Sequence, residues 1–407
     1  MVAVAVLGYG TVGSGVVKVI DTNHDSILKK TGVDLRVKYV LDLREFPGDP
    51  VQEKLVHDYD VIINDPEVRI VVETMGGLNP AYPFTKRALE AGKCACTSNK
   101  ELVAKYGTEL LATAKEHQVS YLFEASCGGG IPIIRPLRTS LGADVIDEIT
   151  GIVNGTTNYI LTKMSEEGLE FDDVLREAQQ KGYAERNPEA DVEGHDACRK
   201  IAILSSLAYG KRVDFTDIYT EGITKITSAE VRYAKELGMA VRLLAYSHMD
   251  VENDGKVTAM VAPFLVKKTD PLYFVNGVFN AIFVHGNMLG DAMFYGQGAG
   301  RDATASAVVA DVIEEAQTLG RGVMSEWSPE KQSMQPVAET KKQFFVRVLG
   351  SADDRSEVES VFGAISVVQA DLSGEYGLIT PVMTEATYQE CAAKLEKQIL
   401  GMIRIRG

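Results

Sequence analysis

The chain opens on a continuous apolar run, VAVAVLG, which ends in glycine. Unbroken hydrophobicity over that length is the pattern of a central parallel strand covered on both faces. A helix is predicted from Thr11 to about Lys30, then the strand DLRVKYVLD. Next come VIINDPEVRIVVETMGG, the helical FTKRALEAG, the strand KCACTSNK, the helical ELLATAKEH and the strand SYLFEAS. Alternation of strand and helix predicts a doubly wound parallel sheet.

From Ile131 the texture changes. Apolar periodicity predicts helices around Leu175, Ile203 and Leu243, and DEITGIVNG, KVTAMVAPFLV and AIFVHGNML read as strands of an α+β domain. The helical TASAVVADVIEEAQTLG follows the glycine-rich YGQGAGRD, and the polar stretch from Gly322 to Thr340, with the single Trp, reads as a linker. The tail then reads QFFVRVLG, RSEVESVFG, AISVVQAD, GLITPVM, TYQECAAKLEKQ and MIRIRG, a small βαββαβ module. No internal repeat or low-complexity tract interrupts this order.

Composition narrows the class. At 407 residues the chain is too long for one ordinary core. No apolar run approaches the roughly 20 residues that span a bilayer, and the N-terminus lacks the basic start and cleavage site of a signal peptide. With 42 Lys and Arg against 57 Asp and Glu, the net charge of −15 would repel nucleic acid, and no basic stripe offsets it. Membrane and nucleic-acid partners are therefore not expected. Five cysteines, Cys94, Cys96, Cys127, Cys198 and Cys391, show no zinc or redox spacing and read as reduced thiols of a cytoplasmic protein.

Gly8-Tyr9-Gly10-Thr11-Val12-Gly13 is a GxGxxG in the required strand–turn–helix setting. Gly8 permits the tight turn, Gly10 the approach of a pyrophosphate, and Gly13 close packing of helix on strand. The helix N-terminus supplies free N–H groups to the diphosphate. Asp42 ends the second strand, where an acid accepts hydrogen bonds from the adenosine ribose and favours NAD. The nearby Arg44 suits the extra phosphate of NADP, and a plain turn role for Asp42 stays open. Thr74-Met75-Gly76-Gly77 and Thr97-Ser98-Asn99-Lys100 follow strands whose ends face the ligand crevice. For Lys100 alone, an exposed surface lysine is the competing reading.

Gly182-Tyr183-Ala184-Glu185 leads through Asn187-Pro188 to Asp191, Glu193, Asp196 and Lys200. Asp196 and Lys200 share one helix face, either as a functional pair or as a surface pair beside a helix-start acid cluster. Gly128-Gly129-Gly130 after Glu124, and Gly296-Gln297-Gly298-Ala299-Gly300, are turns or places of close approach to a ligand or ion. His195 and His285 have no partner at metal-ligand spacing.

Taken together, GYGTVGSGVV, VVETMGG, RALEAGK, TSNKELVA, FEASCGGGIPII, GIVNGTTNYIL, KGYAERNPEADVEGHDACRKIAILSSLAYG and YGQGAGRDATASAVVADVI make residues 1 to about 320 resemble monofunctional homoserine dehydrogenase, with an ACT-like tail. The resemblance implies reversible reduction of L-aspartate 4-semialdehyde to L-homoserine with NAD(P)H, in threonine and methionine biosynthesis. It implies that Lys100 and Lys200 flank the reacting oxygen, stabilising and protonating it. An ammonium has a reference pKa of about 10.4. Repulsion between two lysines and burial would lower it, and Asp196 would oppose that shift while positioning Lys200.

By the same resemblance Glu185 binds the substrate α-ammonium, with Tyr183, Asp191 and Asp196 lining the pocket. Asn154, Gly155, Thr156 and Gly300 lie near the nicotinamide. Glu124, Cys127, Gly129 and Ile131 match a loop that holds a monovalent cation, sodium, through backbone carbonyls, although many relatives have Val at the Cys127 position. Homodimers or homotetramers are implied.

Three departures stand out. Leu41 replaces an Arg common in relatives, which tilts the cofactor toward NAD while leaving NADP open. Asn187 stands where Asp is common. The tail stretch SADDRSEVE lacks the glycine of amino-acid-binding ACT turns, predicting a structural or oligomerising module with weak or absent threonine feedback.

The expected architecture is α/β. It comprises a Rossmann-type nucleotide domain (residues 1–130 with about 302–320), a substrate and dimerisation domain (131–301), a linker (321–341) and an ACT-like domain (342–407). Two alternatives remain at this stage. A dehydrogenase of another amino-acid aldehyde would not need Glu185, Asp196 and Lys200 together. A non-catalytic dinucleotide-sensing regulator would be expected to have lost one of the paired lysines.

Overall fold

The apolar opening run forms β1 (Val2–Leu7), buried from Ala3 onward, and the glycine turn releases it into α1 (Thr11–Thr31). In a computed structural model, residues 1–252, 254–323, 327–395 and 398–407 are described. Residues 324–326 of the predicted linker and 396–397 of the last predicted helix lie outside the described residues. After α1 come β2 (Leu35–Leu41), β3 (Leu55–Val56), α2 (Tyr59–Ile63), β4 (Val68–Glu73), α3 (Ala81–Glu90), β5 (Cys94–Thr97), α4 (Lys100–Glu116), β6 (Tyr121–Leu122) and α5 (Ile134–Arg138). The middle of the chain supplies β7 (Ile146–Ile152), α6 (Gly155–Glu167), α7 (Phe171–Gln180), α8 (Glu189–Val192), α9 (His195–Tyr209), β8 (Lys211–Arg212), β9 (Tyr219–Thr220), α10 (Ser228–Glu236), β10 (Met239–Asp250), β11 (Lys256–Lys267), β12 (Phe279–Gly286) and β13 (Gly290–Gln297). The remainder is α11 (Arg301–Gln317), β14 (Ser328–Lys331), β15 (Lys341–Leu349), α12 (Ser356–Phe362), β16 (Ser366–Val368), β17 (Glu375–Ile379), β18 (Met383–Thr384), α13 (Glu385–Lys394) and β19 (Ile399–Ile405).

Two compact units contain these elements: residues 1–145, 202–215 and 294–332, and residues 146–201, 216–293 and 333–407. In the first, a parallel sheet runs β3-β2-β1-β4-β5-β6, the doubly wound order expected of a Rossmann-type fold. Helix α11 returns to this unit and closes on α1 at Gly15, where a Cβ would stand 2.8 Å from that of Ala305. The predicted linker departs from expectation. Its Trp327 is buried, donates Nε1–H to Thr108 Oγ1 (2.8 Å) and fills the space over Gly107, while β14 pairs with β8. One large aromatic outweighs the polar text around it, because burying a ring of this size contributes more than its neighbours lose.

The second unit is one mixed sheet, β13-β12-β7-β10-β11-β19-β15-β17-β16, with β18 on β15 and β9 on β11. The helix expected around Leu243 is instead the strand β10, hydrogen-bonded along its length to β11 and also to β7. Its residues from Ala240 to Ala245 are all buried, so no alternation was available to mark a strand. Ile152, Leu244, Met260 and Phe264 pack in one core. The tail has its own, with Phe344 stacked on Tyr388 at 4.5 Å.

The tail strands lie in the order β19-β15-β17-β16, and β19 pairs in parallel with β11 through Phe264↔Arg404 and Leu265↔Ile405. Arg404 sits buried at that seam. Nε donates to Glu385 Oε2 (3.0 Å), Nη2 to Glu385 Oε1, and Nη1 to Glu221 Oε2 (2.7 Å). Among the described residues no helix is long and apolar enough to cross a membrane, and all five cysteines are buried and free of disulfides.

Candidate active site

In the first unit the glycine turn is shaped by contact. Gly8 takes φ +91°, and its N–H donates to Leu41 O (2.8 Å). A Cβ on Gly13 would lie 1.9 Å from Gly8 O, whereas the space beside Gly10 is open. Thr11 and Val12 form the first turn of α1, which carries no acidic side chain, so its free N–H groups keep their positive end. Thr74 Oγ1 donates to Leu7 O and Gly8 O (both 3.0 Å), tying the end of β4 to the turn. A cavity of about 490 Å³ opens here, lined by Gly8, Gly10, Asp42, Arg44, His57 and Thr74 among others.

Asp42 is the most heavily bonded group in that cavity. Oδ2 accepts from Tyr9 N–H (2.8 Å) and Arg44 Nη2 (2.9 Å), and Oδ1 accepts from Arg44 N–H and Nε (both 3.0 Å). The Arg44 guanidinium holds the carboxyl well below the usual carboxylate range. The next strand ends are bound together too. Burial raises Glu73 above its ordinary value, and its carboxylate accepts from Thr97 Oγ1 (2.6 Å), Met75 N–H (2.7 Å) and Gly76 N–H (3.2 Å). Asn99 caps α4 through Leu102 N–H (3.1 Å) and donates to Gly77 O (2.5 Å), placing Ser98 and Lys100 at the strand-to-helix corner. Gly300 caps the start of α11 at φ +118°.

The loop after β6 is equally ordered. Both Glu124 oxygens are occupied by main-chain donors, the N–H groups of Ile133 (2.6 Å), Ile134 (2.8 Å) and Arg135 (2.7 Å). These bonds commit the Glu124 carboxylate to ordering its own loop. Cys127 and Ile131 are buried, and a Cβ on Gly129 would lie 2.3 Å from Gly298 O. Among the described residues, no three His, Cys, Asp or Glu gather as metal ligands.

In the second unit four predicted residues converge. Lys200, on α9, donates Nζ–H to Asp196 Oδ2 (2.7 Å) one turn earlier and to Val153 O (2.6 Å) at the end of β7. Asn154 caps α6, its Oδ1 accepting from Thr157 N–H, and its Nδ2 donates to Asp191 Oδ1 (2.8 Å) and Asp196 Oδ2 (2.9 Å). Lys200 and Asp196 are only 7% and 4% exposed, so the surface-pair reading does not hold. Thr156 Oγ1 donates to Tyr183 O (2.7 Å), which brings Gly155 and Thr156 beside the Tyr183 loop. Glu185 lies exposed on that loop and is not drawn into the Asp196–Lys200 cluster.

Sequence reasoning missed three contributors. Glu73 was visible in principle as a lone acid closing an apolar strand. His57 reaches the Asp42 cavity from a loop with no motif, and Val153 acts through a main-chain carbonyl that leaves no mark in sequence.

A glycine turn at the first strand of a doubly wound sheet, an acid at the end of the second, and a buried lysine–carboxylate pair in a companion unit define an NAD(P)-dependent oxidoreductase. Two family models match: "Homoserine dehydrogenase, NAD binding domain" over residues 8–124 and "Homoserine dehydrogenase" over residues 132–313. The chain is 46% identical over 317 residues to a homoserine dehydrogenase of Synechocystis, covering 77% of this chain and 72% of that one. A crystal structure of a homoserine dehydrogenase from Thiobacillus denitrificans is 34% identical with a TM-score of 0.91, covering 100% and 98%. A hyperthermophilic archaeal homoserine dehydrogenase in complex with NADPH is 30% identical with a TM-score of 0.66, covering 77% and 97%. This chain belongs to the homoserine dehydrogenase family, and the two alternatives left open by sequence give way to that membership.

Proposed function

We propose that the chain interconverts L-aspartate 4-semialdehyde and L-homoserine with Lys200 and Lys100 as its proton-handling groups. The observation that carries this reading is the buried Lys200 ammonium, fixed between Asp196 and the Val153 carbonyl. The open approach at Gly10, the tight turn at Gly8 and Gly13, and the acid-free start of α1 fit a dinucleotide diphosphate. When bound, the nicotinamide supplies or takes up the hydride. Negative charge develops on the aldehyde oxygen during reduction, and the lysine ammonium groups neutralise and protonate it. Asp196 and Val153 hold the Lys200 nitrogen in place, so little orientation is lost on reaching the transition state.

Glu185, with Tyr183 and Asp191, takes the substrate α-ammonium. Thr74, Gly76 and Ser98 line the dinucleotide crevice, and Asn154, Gly155, Thr156 and Gly300 match positions that border the nicotinamide. NAD is favoured over NADP because Leu41 supplies no charge and Asp42 engages Arg44. The carbonyls of Glu124, Cys127, Gly129 and Ile131 suit sodium, a hard cation. The tail, from about Lys342, serves as an ACT-like structural module with weak or absent threonine response in a cytoplasmic homodimer or homotetramer. Domains follow residues 1–130 with about 302–320, 131–301 and 342–407.

The test is a side-by-side kcat/KM for NADH and NADPH with L-aspartate 4-semialdehyde. Folded protein that turns over neither would overturn the reading, and preference for NADPH would overturn the assignment to NAD.

A further inference from the structure

We propose that His57 is a specificity-determining residue of the dinucleotide site, and that its proton decides whether a 2′-phosphorylated adenosine ribose is accepted. The inference rests on reading the Asp42 end of the first unit's cavity as the ribose site. His57 lines that cavity with Asp42 and Arg44. Its Nδ1 lies 2.6 Å from Asp42 O and its Nε2 lies 2.8 Å from Glu45 Oε1. Both partners are pure acceptors, and neutral imidazole has a single N–H. Both contacts are hydrogen bonds only when the ring is an imidazolium. Glu45 is itself held in place, its other oxygen accepting from Gln52 Nε2 (2.5 Å).

The charged groups acting at this corner are the Asp42 and Glu45 carboxylates, the Arg44 guanidinium and His57 itself. With His57 protonated, the four sum to zero. With His57 neutral, they carry a net negative charge. Asp42 also engages Arg44 fully, through Nε, Nη2 and the main-chain N–H, so Arg44 alone is a poor counter-charge for an incoming phosphate. A phosphate monoester carries about −1.5 to −2 at pH 7, whereas the hydroxyl of NAD at that position carries none. The hydrogen bond to the Asp42 carbonyl, and then that to Glu45, raise the His57 pKa above its ordinary value of about 6.5. Protonation therefore favours NADP(H) and is lost on going alkaline, while NAD(H) is indifferent. The phosphate's own second ionisation, near pH 6, adds charge as pH rises and acts in the opposite sense once the site carries its cation.

The test is direct binding of NADPH and NADH, followed by nicotinamide fluorescence from about pH 6.5, the ordinary imidazole value, up to about pH 9. Wild-type Kd for NADPH should weaken about tenfold, with NADH changing by less than about twofold. His57→Gln should bind NADPH weakly and without the pH dependence. Glu45→Gln, which removes the negative charge facing Nε2, should move the wild-type midpoint to lower pH. The proposal is overturned if NADPH and NADH track each other across the range, if His57→Gln keeps the wild-type slope, or if Glu45→Gln leaves the midpoint in place. Folded protein that binds NADH but shows pH-flat NADPH affinity overturns the role of His57 alone. Binding of neither dinucleotide overturns the cofactor reading as well.

Discussion

Replacing Lys200 by Met removes the ammonium while keeping most of the side-chain volume, and two effects follow from its surroundings. Asp196 Oδ2 and Val153 O both lose the Lys200 donor inside a site where Asp196 is only 4% exposed. Asn154 Nδ2 still reaches Asp196, so that carboxylate keeps this hydrogen bond while losing the Lys200 ammonium. Breaking a buried pair in this way costs about 3–5 kcal/mol of stability. At about 2–4 °C per kcal/mol, a drop in Tm on the order of 10 °C is expected. The catalytic loss is separate, since a positioned acid contributes about 10²–10⁴-fold to rate. The double variant Asp196→Asn with Lys200→Met separates them, because it removes the carboxylate charge together with the ammonium and should recover most of the Tm with none of the turnover. The assay is steady-state reduction of L-aspartate 4-semialdehyde, followed by NAD(P)H absorbance, alongside calorimetry of each variant. Turnover of Lys200→Met within about threefold of wild type would refute the acid assignment, since that is less than the smallest effect a general acid gives.

Other substitutions probe the rest of the scaffold. Gly13→Ala places a Cβ 1.9 Å from Gly8 O, so the turn must open and NADH affinity should fall at least about tenfold in fluorescence titration. Glu315 is fully buried in the first unit with neither carboxyl oxygen hydrogen-bonded, and burial raises its pKa well above the ordinary carboxylate range. Between the unfolded value of about 4.3 and that raised value, the native state holds a proton the unfolded chain has released. Its contribution is therefore fully present below about pH 4 and declines as pH rises through the folded value. Glu315→Gln should remove this decline, so its Tm advantage over wild type grows with pH; parallel Tm profiles would contradict the argument. Arg404→Met strands the buried Glu385 carboxylate and should destabilise the second unit by about 3–5 kcal/mol in calorimetry.

The nucleotide half was legible because its signals are local. A strand buried on both faces, a glycine turn and a helix start are each written within a few residues, and the family blocks fix their order. β10 was not legible. Its register with both β7 and β11 buries it on both sides, and an apolar run without alternation does not distinguish strand from helix. Tertiary pairing settled it. In the site, Asp196 and Lys200 were legible through their one-turn spacing, whereas Asn154 was singled out only by the family resemblance and its capping role emerges in the fold. The clasp that immobilises Lys200 was not legible, because half of it is the Val153 carbonyl. His57 likewise gains its place only when the chain after Asp42 folds back on that strand end.

The tail shows the same limit from the other side. Its βαββαβ order follows from local pattern, but nothing local announces that its last strand pairs with β11. The matched family models end at residue 313, yet the tail is joined to the rest of the second unit by more than adjacency. Arg404 holds Glu221, whose N–H donates to Val261 O on β11. The next residues close on the site: Ile223 N–H donates to Val192 O, and a Cβ on Gly222 would lie 2.2 Å from that same carbonyl. Val192 sits in the turn that leads to Asp196 and Lys200. A chain of packed backbone therefore runs from the β19 seam to the start of α9, which carries Asp196 and Lys200. The tail is thus not dispensable, because its last strand is part of what holds the sheet of the second unit in register.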